Sequence, residues 1–161
     1  MSSISNVSTL GIDLATNRFG ITFHHFGLAV RSPGRAFLFL KALGYREGPT
    51  EYDPLQAVNL AMLDHPDMPD VEVIWPGDGP SPIGALLKRS DALVYHLCYV
   101  TDDAALTVSA IEAAGLSVVQ VAEPKPAILF GGLYVSFHYV EGYGLIELIH
   151  AAPAATSDVM S

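Results

Sequence analysis

The fold is decided by the stretch His25-Phe-Gly-Leu-Ala-Val30, because a related stretch, His96-Leu-Cys-Tyr-Val100, returns later in the chain. Each stretch leads into a helical pattern that ends at a glycine, Gly44 in the first half and Gly115 in the second. The histidine and the glycine are separated by the same number of residues in both halves. Such self-similarity predicts one supersecondary unit that is present twice.

Local signals give this unit the order strand, helix and three strands. Residues 21–30 and 93–100 are rich in β-branched and aromatic side chains, and they are predicted as the opening strands. Ser32 and Asp102 are predicted to cap the helices that follow. The later segments of each half have the short, apolar character of strands. Those segments are residues 57–63 and 71–75, then 116–122, 133–140 and 145–150, with a weak additional strand near 45–52.

The repeat and a turn-rich linker divide the chain into five predicted parts. The linker opens with the turn cluster Pro76-Gly-Asp-Gly-Pro80, and a short helix is predicted from Ser81 to Lys88 or Arg89. The parts are an N-terminal arm (1–20), a first βαβββ module (21–76), a linker with a short helix (77–90), a second βαβββ module (91–150) and a C-terminal tail (151–161).

Composition narrows the classes of function. Of the 161 residues, 50% are hydrophobic types and only 16% are charged, so the chain can build a core and is not disordered. The net charge of -9 offers no basic surface, which argues against nucleic acid as a partner. Cys98 is the single cysteine and cannot form an internal disulfide, and no apolar run is long enough for a membrane span. We therefore expect a cytoplasmic protein without membrane contact.

Each half also carries a glutamate in an apolar setting near its end, Glu72 in the first and Glu147 in the second. A buried carboxylate is costly unless it is paired or bound to a cation, and here it recurs at equivalent places. If a pseudo-two-fold axis relates the halves, His25 and His96 converge with both glutamates. Two imidazoles and two carboxylates suit a six-coordinate divalent ion that keeps positions open for water or substrate. Manganese, cobalt, nickel, iron and zinc all fit this donor set.

Each residue of this set also has a simpler interpretation. Taken alone, each of the four is an ordinary polar residue of a half-buried strand, and only the recurrence in both halves favours a shared site. Because side chains alternate along a strand, His24 and His25 are expected to face opposite sides, which leaves His24 outside the site. Cys98 lies two positions after His96 and is expected to be a small buried hydrophobe.

The motifs in this order resemble the vicinal oxygen chelate superfamily of glyoxalases, bleomycin resistance proteins and dioxygenases, with particular likeness to methylmalonyl-CoA epimerases. The likeness covers residues 23–150 and rests on the two histidine stretches, on Val71-Glu-Val-Ile-Trp-Pro76 with Ser81-Pro-Ile-Gly-Ala-Leu-Leu-Lys88, and on Gly144-Leu-Ile-Glu-Leu148. It implies an α+β fold in which two tandem βαβββ modules form an open, mostly antiparallel, eight-stranded, barrel-like sheet around a metal cleft. It also implies metal ligation by His25, Glu72, His96 and Glu147.

The resemblance further implies a divalent-metal-dependent isomerase or epimerase. In the family chemistry a metal-chelated enolate forms when a base removes the α-proton of a small acyl-CoA or oxo-acid derivative. Two alternatives stay open, a lyase of the lactoylglutathione type and a non-catalytic small-molecule (drug) binding protein on the same scaffold. A ring-cleaving dioxygenase is disfavoured, because such enzymes use two histidines and one glutamate, and Glu72 adds a fourth ligand. The high hydrophobic content also favours a homodimer.

The residues expected to move protons depart from the epimerase pattern. Leu55 occupies the position of the epimerase acid, and Asp70 occupies the position of a lysine two places before the first glutamate ligand. Neither is assumed to serve as the same base, so the proton-transfer group is sought at shifted positions. The candidates are Glu51, Asp53 and Asp70 in the first half, with His138, Tyr139 and Tyr143 in the second.

Overall fold

The computed structural model describes residues 17–151. Most of the predicted N-terminal arm (1–20), and all of the predicted C-terminal tail (151–161) except its first residue, lie outside the described residues. Within the described part, two helices and ten strands follow the same order in both halves. The first half contains β1 (Ile21–Val30), α1 (Gly34–Ala42), β2 (Arg46–Glu47), β3 (Glu51–Asp53), β4 (Val58–Asp64) and β5 (Asp70–Pro76). The second half contains β6 (Ala92–Thr101), α2 (Ala104–Ala113), β7 (Val118–Gln120), β8 (Lys125–Pro126), β9 (Tyr134–Val140) and β10 (Gly144–His150).

The two helices start one residue later than predicted. In α1 the N-cap is Pro33 and no side chain caps the helix, so the prediction for Ser32 is wrong. Pro33 already has helical backbone angles, which its ring favours at a helix start. In α2 the cap is Asp103 rather than Asp102, and its carboxylate accepts a hydrogen bond from the Leu106 N–H at 3.0 Å. Neither described helix is long and apolar enough to cross a membrane.

All ten described strands belong to one open sheet. Its order is β2-β4-β5-β1-β6-β10-β9-β7, and the short strands β3 and β8 pair with β4 and β9 off this path. Neighbouring strands are antiparallel except in the pairs β1–β5 and β6–β10. The predicted open, mostly antiparallel α+β sheet is confirmed, but it has ten strands rather than eight. Pro49 lies between β2 and β3, and Pro124 lies between β7 and β8; each lacks the N–H that a continuous ladder needs.

The helices cover one face of the sheet. Neither α1 nor α2 covers the other face, which we call the open face. Leu63 and Val71 are fully buried beneath α1, and Leu148 is fully buried beneath α2. On the opposite face, apolar side chains form two further clusters around Ala29 and Cys98. Since side chains alternate along each strand, polar residues that share the face of Ala29 and Cys98 point away from the helices.

The linker between β5 and β6 is a turn with a short 3₁₀ segment rather than the predicted helix. The helical part is limited to Leu86–Lys88. The Ser81 hydroxyl accepts a hydrogen bond from the Ile83 N–H at 3.4 Å, and this side-chain contact competes with regular helical pairing. Ile83 and Leu87 are buried in the cluster around Ala29. The linker is thus anchored to the open face of the sheet.

Candidate metal centre

Four side chains from four neighbouring strands meet on the open face of the sheet. They are His25 on β1, Glu72 on β5, His96 on β6 and Glu147 on β10. One nitrogen or oxygen atom from each lies within 4.8 Å of those of the other three. No more than 4% of any of these residues is exposed to solvent. The structure therefore brings the four predicted ligands together in one buried group, which we call the four-residue cluster.

The sheet topology explains this convergence. β1 lies between β5 and β6, and β6 lies between β1 and β10. The residue two places after the histidine is Gly27 in the first half and Cys98 in the second. In each parallel pair, the glutamate lies opposite this residue of its own half. In the antiparallel pair, each histidine is opposite that same residue of the other half. Residues two apart on a strand face the same side, so all four side chains project from one patch of the sheet.

The distances within the cluster match the spacing of metal ligands. His96 Nε2 lies 3.2 Å from Glu147 Oε2 and 3.6 Å from Glu72 Oε2. His25 Nε2 lies 3.3 Å from the same Glu72 oxygen. Donor atoms about 2.1 Å from one ion are about 3.0 Å apart in octahedral geometry and about 3.4 Å apart in tetrahedral geometry. The nitrogen and oxygen donors are therefore spaced as a divalent ion needs them.

The His96 ring supports the same interpretation. Neither of its nitrogen atoms has a hydrogen-bond partner among the described residues, although the ring is buried. Buried polar groups without partners are rare in folded proteins and cost stability. An imidazole nitrogen in this place can satisfy its lone pair by binding a cation, so the residues present fit a divalent metal ion.

The electrostatics of the cluster also favour a bound cation. Burial lowers the pKa of His96 to about 4, against an opposing effect of Glu72, so this imidazole is neutral at pH 7. Burial raises the pKa of Glu147 well above its ordinary value, and the neighbouring Glu72 carboxylate raises it further. A neutral imidazole does not compensate two carboxylates. A dication at their centre would relieve both the desolvation and the mutual repulsion of the glutamates.

Gly27 provides the space that the His96 ring occupies. A Cβ built at Gly27 would lie 2.7 Å from His96 Nε2 and still closer to Cε1 and Nδ1, inside the 3.0 Å that real Cβ atoms keep. Elsewhere the His96 ring packs edge-on against Tyr95 and Phe137, at centroid distances of 4.4 and 5.6 Å. None of these three neighbours was predicted from the sequence. A glycine inside a strand signals close approach by another group, and that signal could have identified Gly27.

His24 lies beside His25, and the prediction that it faces the opposite side of the strand is wrong. The pairing of β1 with β6 passes from Phe23 opposite Tyr99 directly to His25 opposite Cys98. His24 is therefore unpaired in a β-bulge, which breaks the alternation assumed for a regular strand. As a result, His24 Nδ1 lies 2.8 Å from His25 Nδ1.

A second bulge in the same strand pair places Tyr95 against the cluster. The register shifts between Gly27 and Leu28, where Tyr95 of β6 has no partner. Each bulge thus lies immediately before the histidine of its own half. Burial raises the pKa of Tyr95 well above its ordinary value, so the phenol keeps its proton at neutral pH.

A cavity of about 340 Å³ lies beside the cluster. Tyr95 and Phe137 belong to its lining, and the same two rings pack on His96. The other polar residues of the lining are Gln56, Glu123 and Lys125. The cavity therefore offers mainly apolar walls next to the cluster, with aromatic rings between the two.

Two proton-transfer candidates of the first half, Asp70 and Glu51, lie on different strands of the sheet. Asp70 is opposite His25 in the β1–β5 pair and two residues before Glu72, so it shares the face of the cluster and is partly exposed. Glu51, opposite Leu60, is partly exposed in the short strand β3. Of these two, the topology brings Asp70 next to the cluster.

The candidates of the second half lie outside the cluster. His138 is opposite Ile146, a core residue beneath α2, so it faces the helix-covered side of the sheet. Its Nε2 atom lies 2.9 Å from the Ser136 hydroxyl oxygen. Tyr139 is half exposed, and Tyr143 hydrogen-bonds to the Tyr99 hydroxyl at 2.7 Å. The structure gives none of these three side chains a contact with the four-residue cluster.

Comparison with known proteins agrees with the fold. A family model described as the Glyoxalase/Bleomycin resistance protein/Dioxygenase superfamily matches residues 24–137. That match includes His25, Glu72 and His96 and ends before Glu147. No curated protein is similar enough in sequence to be matched to this chain.

Several solved structures share the fold. A hypothetical protein from Bacillus halodurans has a TM-score of 0.68 and 21% identity, with 84% of this chain and 97% of that chain covered. Methylmalonyl-CoA epimerase from Mycobacterium tuberculosis has a TM-score of 0.64 and 21% identity, with coverages of 81% and 88%. A variant of Streptomyces coelicolor methylmalonyl-CoA epimerase in complex with 2-nitronate-propionyl-CoA has a TM-score of 0.60 and 24% identity, with coverages of 81% and 96%.

Proposed function

This chain belongs to the glyoxalase/bleomycin resistance protein/dioxygenase superfamily, and from that premise we propose that it is a divalent-metal-dependent isomerase or epimerase. Its proposed substrate is a small acyl-CoA or oxo-acid derivative, from which it removes an α-proton and to which it returns one. The observation that carries this proposal is the buried four-residue cluster, in which two carboxylates and two imidazoles meet at the spacing of metal ligands.

The four-residue cluster would hold the ion. When bound, a divalent ion supplies Lewis-acid stabilisation for the negative charge that develops on substrate oxygens as the α-proton leaves. The carboxylates of Glu72 and Glu147 would balance the charge of a bound dication. The rings of Tyr95 and Phe137 pack against His96 and exclude water from that side, which strengthens electrostatic interactions at the site.

Asp70 is the proton-transfer group in this proposal. It shares the sheet face of Glu72 and lies opposite His25, next to the cluster but not part of it. It is partly exposed, so a substrate can reach its carboxylate. Asp53, by contrast, is buried and accepts a hydrogen bond from the Leu55 N–H at 2.8 Å, which fixes it as a turn residue. A positioned carboxylate can accept an α-proton and return it.

The cavity beside the cluster supports the proposed substrate class. Its mainly apolar lining suits the alkyl part of an acyl group, and Lys125 offers a positive charge to an acidic group at its rim. The similar Streptomyces coelicolor epimerase was solved with an acyl-CoA compound bound. An acyl-CoA thioester is therefore the first substrate class to test.

We expect the metal-loaded protein to exchange the α-proton of its substrate for deuterium, and the Asp70→Asn variant to do so about 100-fold more slowly. General acid–base groups contribute on the order of 10²–10⁴-fold to such rates, and the amide of the substituted side chain cannot accept the proton. The measurement is proton NMR in deuterated water with a panel of acyl-CoA thioesters and oxo acids.

Asp67→Asn is the matched control, because Asp67 is exposed in the turn before β5 and its loss should leave exchange unchanged. Equal exchange by the Asp70→Asn variant and the parent would remove Asp70 from the mechanism. Binding of these compounds without any exchange would favour the small-molecule binding alternative instead.

A further inference from the structure

The contact between His24 and His25 has a geometry that the second half of the chain does not repeat. His24 Nδ1 and His25 Nδ1 are 2.8 Å apart, a distance at which one N–H donates to the other nitrogen. We propose that His24 is a positioning residue that accepts this hydrogen bond from His25 and so selects the form of His25 that binds metal. This proposal rests on the proposed function, because it assumes that His25 is a ligand.

The choice of tautomer decides what His25 can do. A neutral imidazole carries its proton on one nitrogen and a lone pair on the other. If the proton is on Nε2, His25 donates to Glu72 Oε2 at 3.3 Å, and its lone pair, on Nδ1, points away from the four-residue cluster. If the proton is on Nδ1, it is donated to His24, and the Nε2 lone pair points into the four-residue cluster. Only the second form is compatible with ligation, and ligands of this kind usually donate their other N–H to a fixed acceptor.

Two features hold His24 where it can act as that acceptor. The β-bulge gives β1 one extra residue at His24 and turns its side chain toward His25. The Phe130 ring packs against both imidazoles, edge-on to His24 at 5.5 Å and tilted to His25 at 5.6 Å between centroids. The acceptor nitrogen is therefore placed before any ion arrives, which lowers the entropic cost of fixing the ligand.

The second histidine is held by shape rather than by a hydrogen bond. The bulge before His96 carries Tyr95, whose ring packs edge-on against the imidazole. Both His96 nitrogens are without a hydrogen-bond partner in the described part of the chain, and the ring fills the space over Gly27. Tyr95 therefore does not duplicate the role of His24, and loss of the His24 acceptor should weaken the site from one side only.

The test compares two substitutions at His24. His24→Phe keeps an aromatic ring against Phe130 but has no acceptor, whereas His24→Asn places an amide oxygen near the position of Nδ1. We measure the Kd for Co²⁺ by competition with a chelator, and the tautomer of His25 by ¹⁵N NMR of its ring. His24→Phe should raise the Kd by about 10- to 100-fold and leave His25 as a mixture of tautomers. His24→Asn should restore the Kd to within about threefold of the parent and keep the Nδ1–H form of His25 in the metal-free protein, where no ion selects the tautomer.

The outcomes separate this proposal from the proposed function. His65→Phe is the matched control, since His65 lies in the turn before β5 and hydrogen-bonds to the Leu43 carbonyl instead. If the parent binds no Co²⁺, the proposed function fails and takes the role of His24 with it. If the parent binds Co²⁺ and His24→Phe binds it equally well, or His24→Asn gives no rescue, only the role of His24 is overturned.

Discussion

The Gly27→Ala variant is expected to fold and to bind divalent metal at least about 100-fold more weakly than the parent protein. The added Cβ would overlap the His96 ring, approaching Nε2 to 2.7 Å and its neighbouring atoms more closely. The ring has little room to retreat, because it is buried and packs edge-on against Tyr95 and Phe137. The substitution therefore displaces one proposed ligand without removing a charge or a donor atom.

Isothermal titration calorimetry with Co²⁺ measures this loss of affinity, and circular dichroism shows whether the variant is folded. Gly34→Ala is the control, because a Cβ at Gly34 meets no atom within 4 Å and its backbone is already helical. The control should bind Co²⁺ as the parent does. Parent-like binding by a folded Gly27→Ala variant would show that the His96 ring does not need its place over Gly27 to bind metal.

The Glu147→Gln variant is expected to change metal affinity and stability in opposite directions. Glutamine keeps the shape of the side chain but removes the charge. Co²⁺ should therefore bind at least on the order of 100-fold more weakly than to the parent. Without metal, the same change removes a buried carboxylate that lies 3.2 Å from a neutral imidazole and close to Glu72. At neutral pH the free energy of unfolding of the metal-free protein should therefore rise by at least about 1 kcal/mol, the equivalent of one unit of raised pKa.

The free energy of unfolding of the metal-free parent should also depend on pH through Glu147. Burial, with the Glu72 charge, raises the folded-state pKa of Glu147 above its ordinary value of 4.5. The folded protein then holds this proton more tightly than the unfolded chain. The resulting stabilisation is fully present below pH 4.5 and is lost as the pH rises through the raised pKa. Glu147→Gln should lack that loss.

Chemical denaturation of the chelator-treated parent and variant at a series of pH values measures how the free energy of unfolding of each protein changes with pH. Glu141→Gln is the control, since Glu141 is exposed in the turn between β9 and β10. A Glu147→Gln variant that is less stable than the parent without metal would indicate that Glu147 has a favourable partner in the protein itself. In that case its burial would not depend on a cation.

The repeat made the four-residue cluster predictable from the sequence. Each histidine and each glutamate occupies the same place in its half, and a pseudo-two-fold arrangement brings such residues together. The structure places His25 and His96 on the paired central strands β1 and β6, with a glutamate strand on either side. The costly burial of two carboxylates at equivalent positions was the physical signal.

The surroundings of the cluster were not predictable in the same way. His24 and Tyr95 reach the site because each lies in a β-bulge, and periodicity assumes a strand without bulges. The predicted number of strands, eight rather than ten, was wrong for a related local reason. Pro49 and Pro124 each separate two short strands where one was expected. Side-chain chemistry at a repeated position was thus readable from sequence, whereas local backbone irregularities required the structure.

The measurement that tests the central claim most directly is the metal content of the purified protein. The parent and a His96→Ala/Glu147→Ala double variant are loaded with divalent metal and dialysed exhaustively. Their metal content is then measured by inductively coupled plasma mass spectrometry. We predict about one tightly held divalent ion per chain in the parent, as the four converging donors require, and none in the variant. A parent that holds no ion after loading, or a variant that holds as much as the parent, would contradict the assignment of the four-residue cluster as a metal centre.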